Sequence, residues 1–193
     1  MKKIISVILT LFIAVSAMLM LSSCGDTTSY GTHHVEMTFE DYGTIKLELY
    51  GDIAPITVKN FITLAKSGYY DGLTITRAQP NFVIQGGAGD EVGTIKGEFA
   101  ANGVNNTISH KRGVISMART TVYDSASSQF FICLSDAAAY SCDGYYAAFG
   151  IVTSGMDIID KMVSDIPRTA FMDSNYFLYP QYQITIESVK VID

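Results

Sequence analysis

Tryptophan is absent, and histidine, cysteine and proline number only three, three and four in 193 residues. Two of the histidines, His33 and His34, stand together near the start, so His110 alone serves the body of the chain. No His-Glu-x-x-His and no Cys-x-x-Cys occurs, which removes the common zinc and dithiol arrangements. The adjacent pair His33 and His34 lacks the ligand count of a zinc site. No Gly-x-Ser-x-Gly and no Ser-x-x-Lys is present, so a serine hydrolase would have to be built around His110 or a histidine of the N-terminal segment. The run Gly86 to Gly89 lacks the Lys-Ser/Thr of a phosphate loop and reads instead as a turn needing positive φ or close backbone approach. Cations are few as well: 13 Lys and Arg against 19 Asp and Glu, a net charge of −6. Nucleic acid is excluded as a partner, because phosphate binding needs a basic footprint. These absences point to a function that uses neither metal, cofactor nor nucleophile.

What is present begins with an address. Lys2 and Lys3 precede an uncharged stretch from Ile4 to Leu21, and Leu21-Ser22-Ser23-Cys24 follows. A basic start, an apolar middle and small residues before a cut make a secretory signal peptide over residues 1–23. The last four residues resemble the bacterial lipobox, which implies lipidation at Cys24. An uncleaved anchor is the alternative, since the apolar stretch is just long enough to span a bilayer. Both readings place the remainder outside the cytoplasm. Without Lys2 and Lys3, eleven basic residues face nineteen acidic ones, a net charge of −8. That favours solubility and repels anionic headgroups. Residues 25–34 are small and polar without periodicity and read, with Cys24, as a flexible tether. The domain proper is expected over 35–193, long enough for a core without staples. Twelve Tyr and ten Phe argue against disorder. Cys133 and Cys142 lie in a compartment that permits a disulfide, and the plainer reading is two small buried hydrophobes.

Val35, Met37 and Phe39 alternate with polar residues, as do Ile45, Leu47 and Leu49, with Asp41-Tyr42-Gly43 between them: a hairpin with one buried face. Asp52 to Pro55 opens a helix carrying Val58, Phe61, Ile62 and Ala65, and Gly68 stops it. Further strands are expected at 73–77, 82–85, 114–118, 129–134 and 146–152, a second helix at 155–163, and a closing strand at 184–191 with a bulge near Ser188. Many short strands with two isolated helices and no β-α-β alternation fit a mostly β, antiparallel barrel or sandwich. The loop 102–111 should lie near any groove. The stretch 164–183 is rich in aromatics and reads either as a partner-binding patch or as a loop packed on the barrel.

Four segments then occur in order: Thr76-Arg77-Ala78-Gln79-Pro80-Asn81-Phe82-Val83-Ile84-Gln85-Gly86-Gly87, Gly113-Val114-Ile115-Ser116-Met117-Ala118, Ser127-Ser128-Gln129-Phe130-Phe131-Ile132, and Asp143 to Gly150 followed by Gly155-Met156-Asp157. Together they resemble the cyclophilins, which are peptidyl-prolyl cis-trans isomerases, over roughly residues 35–193. The resemblance implies a closed eight-stranded antiparallel barrel capped by two helices. It implies a catalytic arginine at Arg77, an orienting glutamine at Gln85, and a proline pocket of Phe82, Val83 and Phe131. Ala118, Arg119 and Gln129 match positions that contact the peptide, the first two along the residues preceding proline. Cys142 and Tyr146 stand where the family has a pocket leucine and histidine, Val83 where it has methionine, Arg119 where it has asparagine, and Ser141 or Tyr140 where some members have tryptophan. The partners implied are proline-containing polypeptides and, through Cys24, a bacterial membrane. The chain is expected to act as a monomer. A proline-peptide-binding chaperone with little turnover is the competing function.

Overall fold

The alternation of Val35, Met37 and Phe39 against Ile45, Leu47 and Leu49 becomes β1 (Thr32–Phe39) and β2 (Gly43–Tyr50), paired antiparallel with these six side chains buried. The computed structural model describes residues 30–193. The signal peptide, Cys24 and the first part of the tether lie outside the described residues. Among the described residues no helix is long and apolar enough to cross a membrane.

The remaining strands are β3 (Thr74–Gln79), β4 (Val83–Gly86), β5 (Val114–Met117), β6 (Phe130–Cys133), β7 (Ala148–Ser154) and β8 (Ile184–Val191). They close into an antiparallel barrel in the order β1-β2-β7-β5-β6-β4-β3-β8. Where β1 meets β8, Thr38 faces Ser188 and Phe39 faces Ile186, so Glu187 is the extra residue of the expected bulge.

The β4, β5 and β6 sequences are apolar almost without interruption because both of their faces are covered. Ile84, Ile115, Phe130 and Ile132 point into the main core. Val83, Val114, Phe131 and Cys133 point the other way, into a second cluster with Ala138, Cys142 and Ala148. That outer cluster becomes the base of the functional site. Two glycines let the strands approach. A Cβ on Gly86 would sit 2.7 Å from Ile75 Cδ1 and 2.8 Å from Thr74 O, and Gly87 holds φ at +79°. Close approach and positive φ, the two explanations offered for this glycine run, operate at successive residues.

Helix α1 (Pro55–Lys66) starts with proline, as expected, and buries Thr57, Val58, Phe61, Ile62 and Ala65. Phe61 meets Tyr70, Phe149 and Phe130 at ring-centroid distances of 5.0, 5.3 and 5.9 Å. A four-residue helix, α2 (Ala139–Cys142), comes before β7, and α3 (Met156–Asp165) follows it. Among the described residues there are therefore three helices where two were expected. α2 is too short to leave a periodic pattern.

Most boundaries differ from the sequence reading by one or two residues, and two of the differences have a visible cause. β1 begins at Thr32, inside the expected tether, because Thr32, His33 and His34 pair with Tyr50, Leu49 and Glu48 of β2. The end of the chain meets them from the other side: Ile192 N–H donates to His34 O at 3.0 Å, and His33 Nδ1 lies 2.7 Å from Asp193 Oδ2. Tyr146 lies before β7 rather than in it, its N–H donating to Cys142 O at 3.1 Å. No disulfide joins Cys133 and Cys142; both are buried free thiols, and burial raises the pKa of each.

Candidate active site

Strand register assembles the site. Arg77 on β3 stands opposite Gln85 on β4, and Gln85 stands opposite Phe131 on β6. Three residues far apart in sequence thereby form one row across the barrel wall. They line a cavity of about 370 Å³ with Phe82, Val83, Ala118, Arg119, Cys142 and Tyr146. Nine of the ten expected substrate-site residues are in this lining. The tenth, Gln129, stands one step back, where its Oε1 accepts Gln85 Nε2–H at 3.1 Å.

The base of the cavity is apolar. Val83, Phe131 and Cys142 are almost fully buried, and Phe82 packs against their cluster. The Tyr146 ring meets Phe131 edge-on at 5.6 Å. Tyr146 thus forms an aromatic wall with a polar tip.

Arg77 lies over this base, its Cζ 5.9 Å from the Phe82 ring centroid. Nε donates to Asn175 O at 2.8 Å, Nη2 to Gln79 Oε1 at 2.6 Å, and Nη1 to Gln85 Oε1 at 3.4 Å. Nη1 and Nη2 each keep a further N–H for a ligand. Burial pulls the guanidinium pKa below its ordinary value, and the nearby Tyr146, Asp173 and Cys142 oppose that shift. The group remains a fixed cation at neutral pH.

Asn175 and Phe177 complete the cavity and were not anticipated. They belong to the aromatic stretch, which packs along β3: Ala78 N–H donates to Tyr176 O at 3.1 Å and Leu178 N–H to Thr76 O at 2.8 Å. The packed-loop reading is right for Leu178, which is fully buried. The same packing turns Asn175 and Phe177 into a wall of the groove. Aromatic density was the only sequence signal, and it carried no register.

Behind Phe131 lies a polar chain. Asp143 Oδ1 is 2.8 Å from His110 Nδ1, and His110 Nε2 is 3.0 Å from Ser116 Oγ. The bonding resembles a hydrolase triad, but Ser116 is fully buried and its hydroxyl reaches no substrate. The His110 ring stacks on Phe131 at 5.9 Å and 18°, so the chain supports the base of the pocket. Burial lowers the imidazole pKa below its ordinary 6.5, against the hydrogen bond and charge of Asp143. For Asp143, burial pulls upward but hydrogen bonds from Ser109 and His110 outweigh it, and its pKa falls below 3.8.

The unfolded chain therefore takes up the His110 proton before the native one does. Its stabilising contribution is whole above pH 6.5 and declines as pH falls through that value. Asp143 acts only near and below pH 3.8. Urea midpoints measured from pH 7.5 down to 5.5 should fall with pH, and His110→Gln should remove that part of the slope. An equal slope in the variant would assign it to another group.

An antiparallel barrel with an apolar pocket beside a fixed arginine, open to a surface groove, defines a peptide-binding protein of the isomerase type. The chain belongs to the cyclophilin family: the model for Cyclophilin type peptidyl-prolyl cis-trans isomerase/CLD matches residues 34–191. It is 40% identical over 156 residues to a peptidyl-prolyl cis-trans isomerase of Acinetobacter baylyi, covering 77% of this chain and 80% of that protein. It is 34% identical over 160 residues to peptidyl-prolyl cis-trans isomerase B of Escherichia coli, covering 78% and 95%. Among solved structures, a Cryptosporidium parvum cyclophilin superposes with a TM-score of 0.70 at 24% identity, over 84% of this chain and 99% of that one. That likeness supports the barrel; the activity, peptidyl-prolyl cis-trans isomerisation, rests on the family and the bacterial relatives.

Proposed function

We propose that the chain works outside the cytoplasm, held to a bacterial membrane by lipid on Cys24. There it accelerates rotation about X-Pro bonds in exported proteins, acting as a monomer. The observation that carries the site assignment is the row Arg77–Gln85–Phe131 facing one cavity.

Rotation about a peptide bond costs about 18–20 kcal/mol because amide resonance must be broken. No bond is made or cut, so the chemistry reduces to holding the ring and favouring the twisted amide over the planar one. Phe82, Val83, Phe131 and Cys142 supply an apolar seat for the proline ring. Arg77 supplies N–H groups and charge where the nitrogen lone pair localises on twisting. Gln85, tied to both Arg77 and Gln129, fixes the direction of that fork.

Exchange NMR on an Ala-Pro peptide, with the protein substoichiometric, tests the reading. Accelerated cis–trans exchange is expected; peptide shifts without acceleration would favour the binding module instead. The address is tested separately, by growing a bacterial expression host with labelled palmitate. Label on the chain that disappears in Cys24→Ser supports the lipid anchor. An unlabelled chain in the membrane fraction would favour the uncleaved apolar anchor.

A further inference from the structure

The folded chain is acidic, yet the cavity is lined by two guanidinium groups and no carboxylate. Arg77 is one. The other, Arg119, is held unusually firmly for a half-buried arginine. Its Nε and Nη2 donate to Tyr145 O at 2.9 and 2.7 Å, and its Nη1 donates to Thr120 O at 2.8 Å. Its Cζ lies 4.7 Å from the Tyr146 ring centroid, 5.0 Å from Phe99 and 5.1 Å from Tyr123. Three aromatic faces and two carbonyls thus fix the cation, and none of these partners is an anion. Nη1 and Nη2 each keep an N–H.

The carboxylates of the neighbourhood are committed elsewhere. Asp173 accepts from Asn175 and from the Phe177 N–H. Asp124 accepts from Gly97 and Asn102. Asp143 accepts from Ser109 and His110. Arg112 shows the contrasting arrangement, paired to Asp160 at 2.7 Å on the surface. Arg119 has no carboxylate partner among the described residues and stands in the cavity lining on a pre-ordered side chain that pays little entropy to meet an anion.

We propose that Arg119 is a specificity-determining residue that makes the groove prefer proline segments with an acidic side chain among the residues leading into the proline. The proposal rests on the isomerase reading of the site and on the placement of Ala118 and Arg119 along that part of the peptide. The preference is electrostatic. It should amount to about tenfold between glutamate and lysine at low salt, as for a partly screened charge pair, and shrink towards ~0.5 M salt as the screening length falls.

The test uses peptides identical except for Glu, Gln or Lys, placed immediately before the proline in one series and one position earlier in another. kcat/KM for catalysed exchange is read by NMR and normalised to each peptide's uncatalysed rate. Glu above Gln above Lys is expected in at least one series. Arg119→Gln should collapse the Glu-to-Lys ratio, whereas Arg119→Lys, which loses the stacking but keeps the charge, should retain most of it. If Arg119 only glues Phe99, Tyr123 and Tyr146 together, both variants will slow every peptide alike and leave the ratio intact, which overturns the proposal. A flat series in the unmodified protein overturns it too, while leaving the isomerase reading standing. Failure to accelerate any peptide would sink both readings together.

Discussion

Arg77→Ala is expected to lower kcat/KM for X-Pro exchange at least about tenfold, equivalent to about 1.4 kcal/mol of lost transition-state stabilisation, while leaving the fold intact. The two halves of that expectation have separate grounds. The loss follows because the guanidinium is a fixed donor group lying over the Phe82 ring, tied by Gln79, Gln85 and Asn175. Alanine leaves the apolar seat for proline but no cation over the Phe82 ring to meet the twisted nitrogen. KM should therefore change less than kcat, because an interaction made mainly in the transition state is the one removed. The fold survives because β3 is held by backbone bonds on either side: the ladder to β4 and the bonds Ala78 N–H to Tyr176 O and Leu178 N–H to Thr76 O. Arg77→Lys keeps a charge without the planar fork and should fall between the two. The measurement is exchange NMR beside a thermal melt of each variant. An unchanged rate in Arg77→Ala would remove this residue from the mechanism; a lowered melt with a lowered rate would leave its role structural.

Much of this site is legible in the sequence because strand register brings the motif residues to one wall. Arg77, Gln85 and Phe131 lie on three strands, and period-two alternation sends all three side chains to the same face. The barrel itself was legible from alternating strands such as Val35-Met37-Phe39, whose partners follow within a hairpin. What escaped depended on contacts with no local signature. Asn175 reaches Arg77 from 98 residues away, through a loop with no regular period. The aromatic clamp on Arg119 gathers Phe99, Tyr123 and Tyr146 from three different loops. β1 starts early because Thr32, His33 and His34 ladder with Tyr50, Leu49 and Glu48 of β2 while both histidines also meet Asp193 near the end of the chain, so a polar stretch that reads as tether is organised by its partners. Tyr146 reads as strand from its apolar neighbours. Its backbone instead turns back on Cys142, which brings the ring to Phe131.

The largest stability effect expected is at Glu98, a buried carboxylate outside the pocket lining. Helix α1 has Ala54 at its N-cap, which offers no side-chain acceptor, and no acidic residue in its first turn. The orphan N–H groups of a helix start need acceptors, and the partial positive charge there favours an anion. Glu98 provides both from across the chain. Its Oε1 accepts the Ile56 N–H at 3.0 Å, and its Oε2 accepts the Thr57 N–H at 2.8 Å and the Thr57 hydroxyl at 2.7 Å. Thr57 is fully buried and Glu98 nearly so. Glu98→Ala therefore strands the Thr57 N–H and hydroxyl in a buried place, and should cost about 2–4 kcal/mol. For a domain of this size that is a drop of roughly 10 °C in Tm. Glu98→Gln keeps an acceptor oxygen and the packing volume but loses the charge, and should recover about half of the loss. Urea unfolding followed by circular dichroism reads both variants. A cost below about 1 kcal/mol for the alanine variant, comparable to an exposed cap, would mean that α1 finds other acceptors. The consequence should extend to the pocket, because Phe61 on α1 packs on Phe130, the neighbour of Phe131 on β6. Glu98→Ala should therefore lower isomerase activity near its own melting range while leaving it close to normal well below, a temperature dependence that Arg77→Ala should not share.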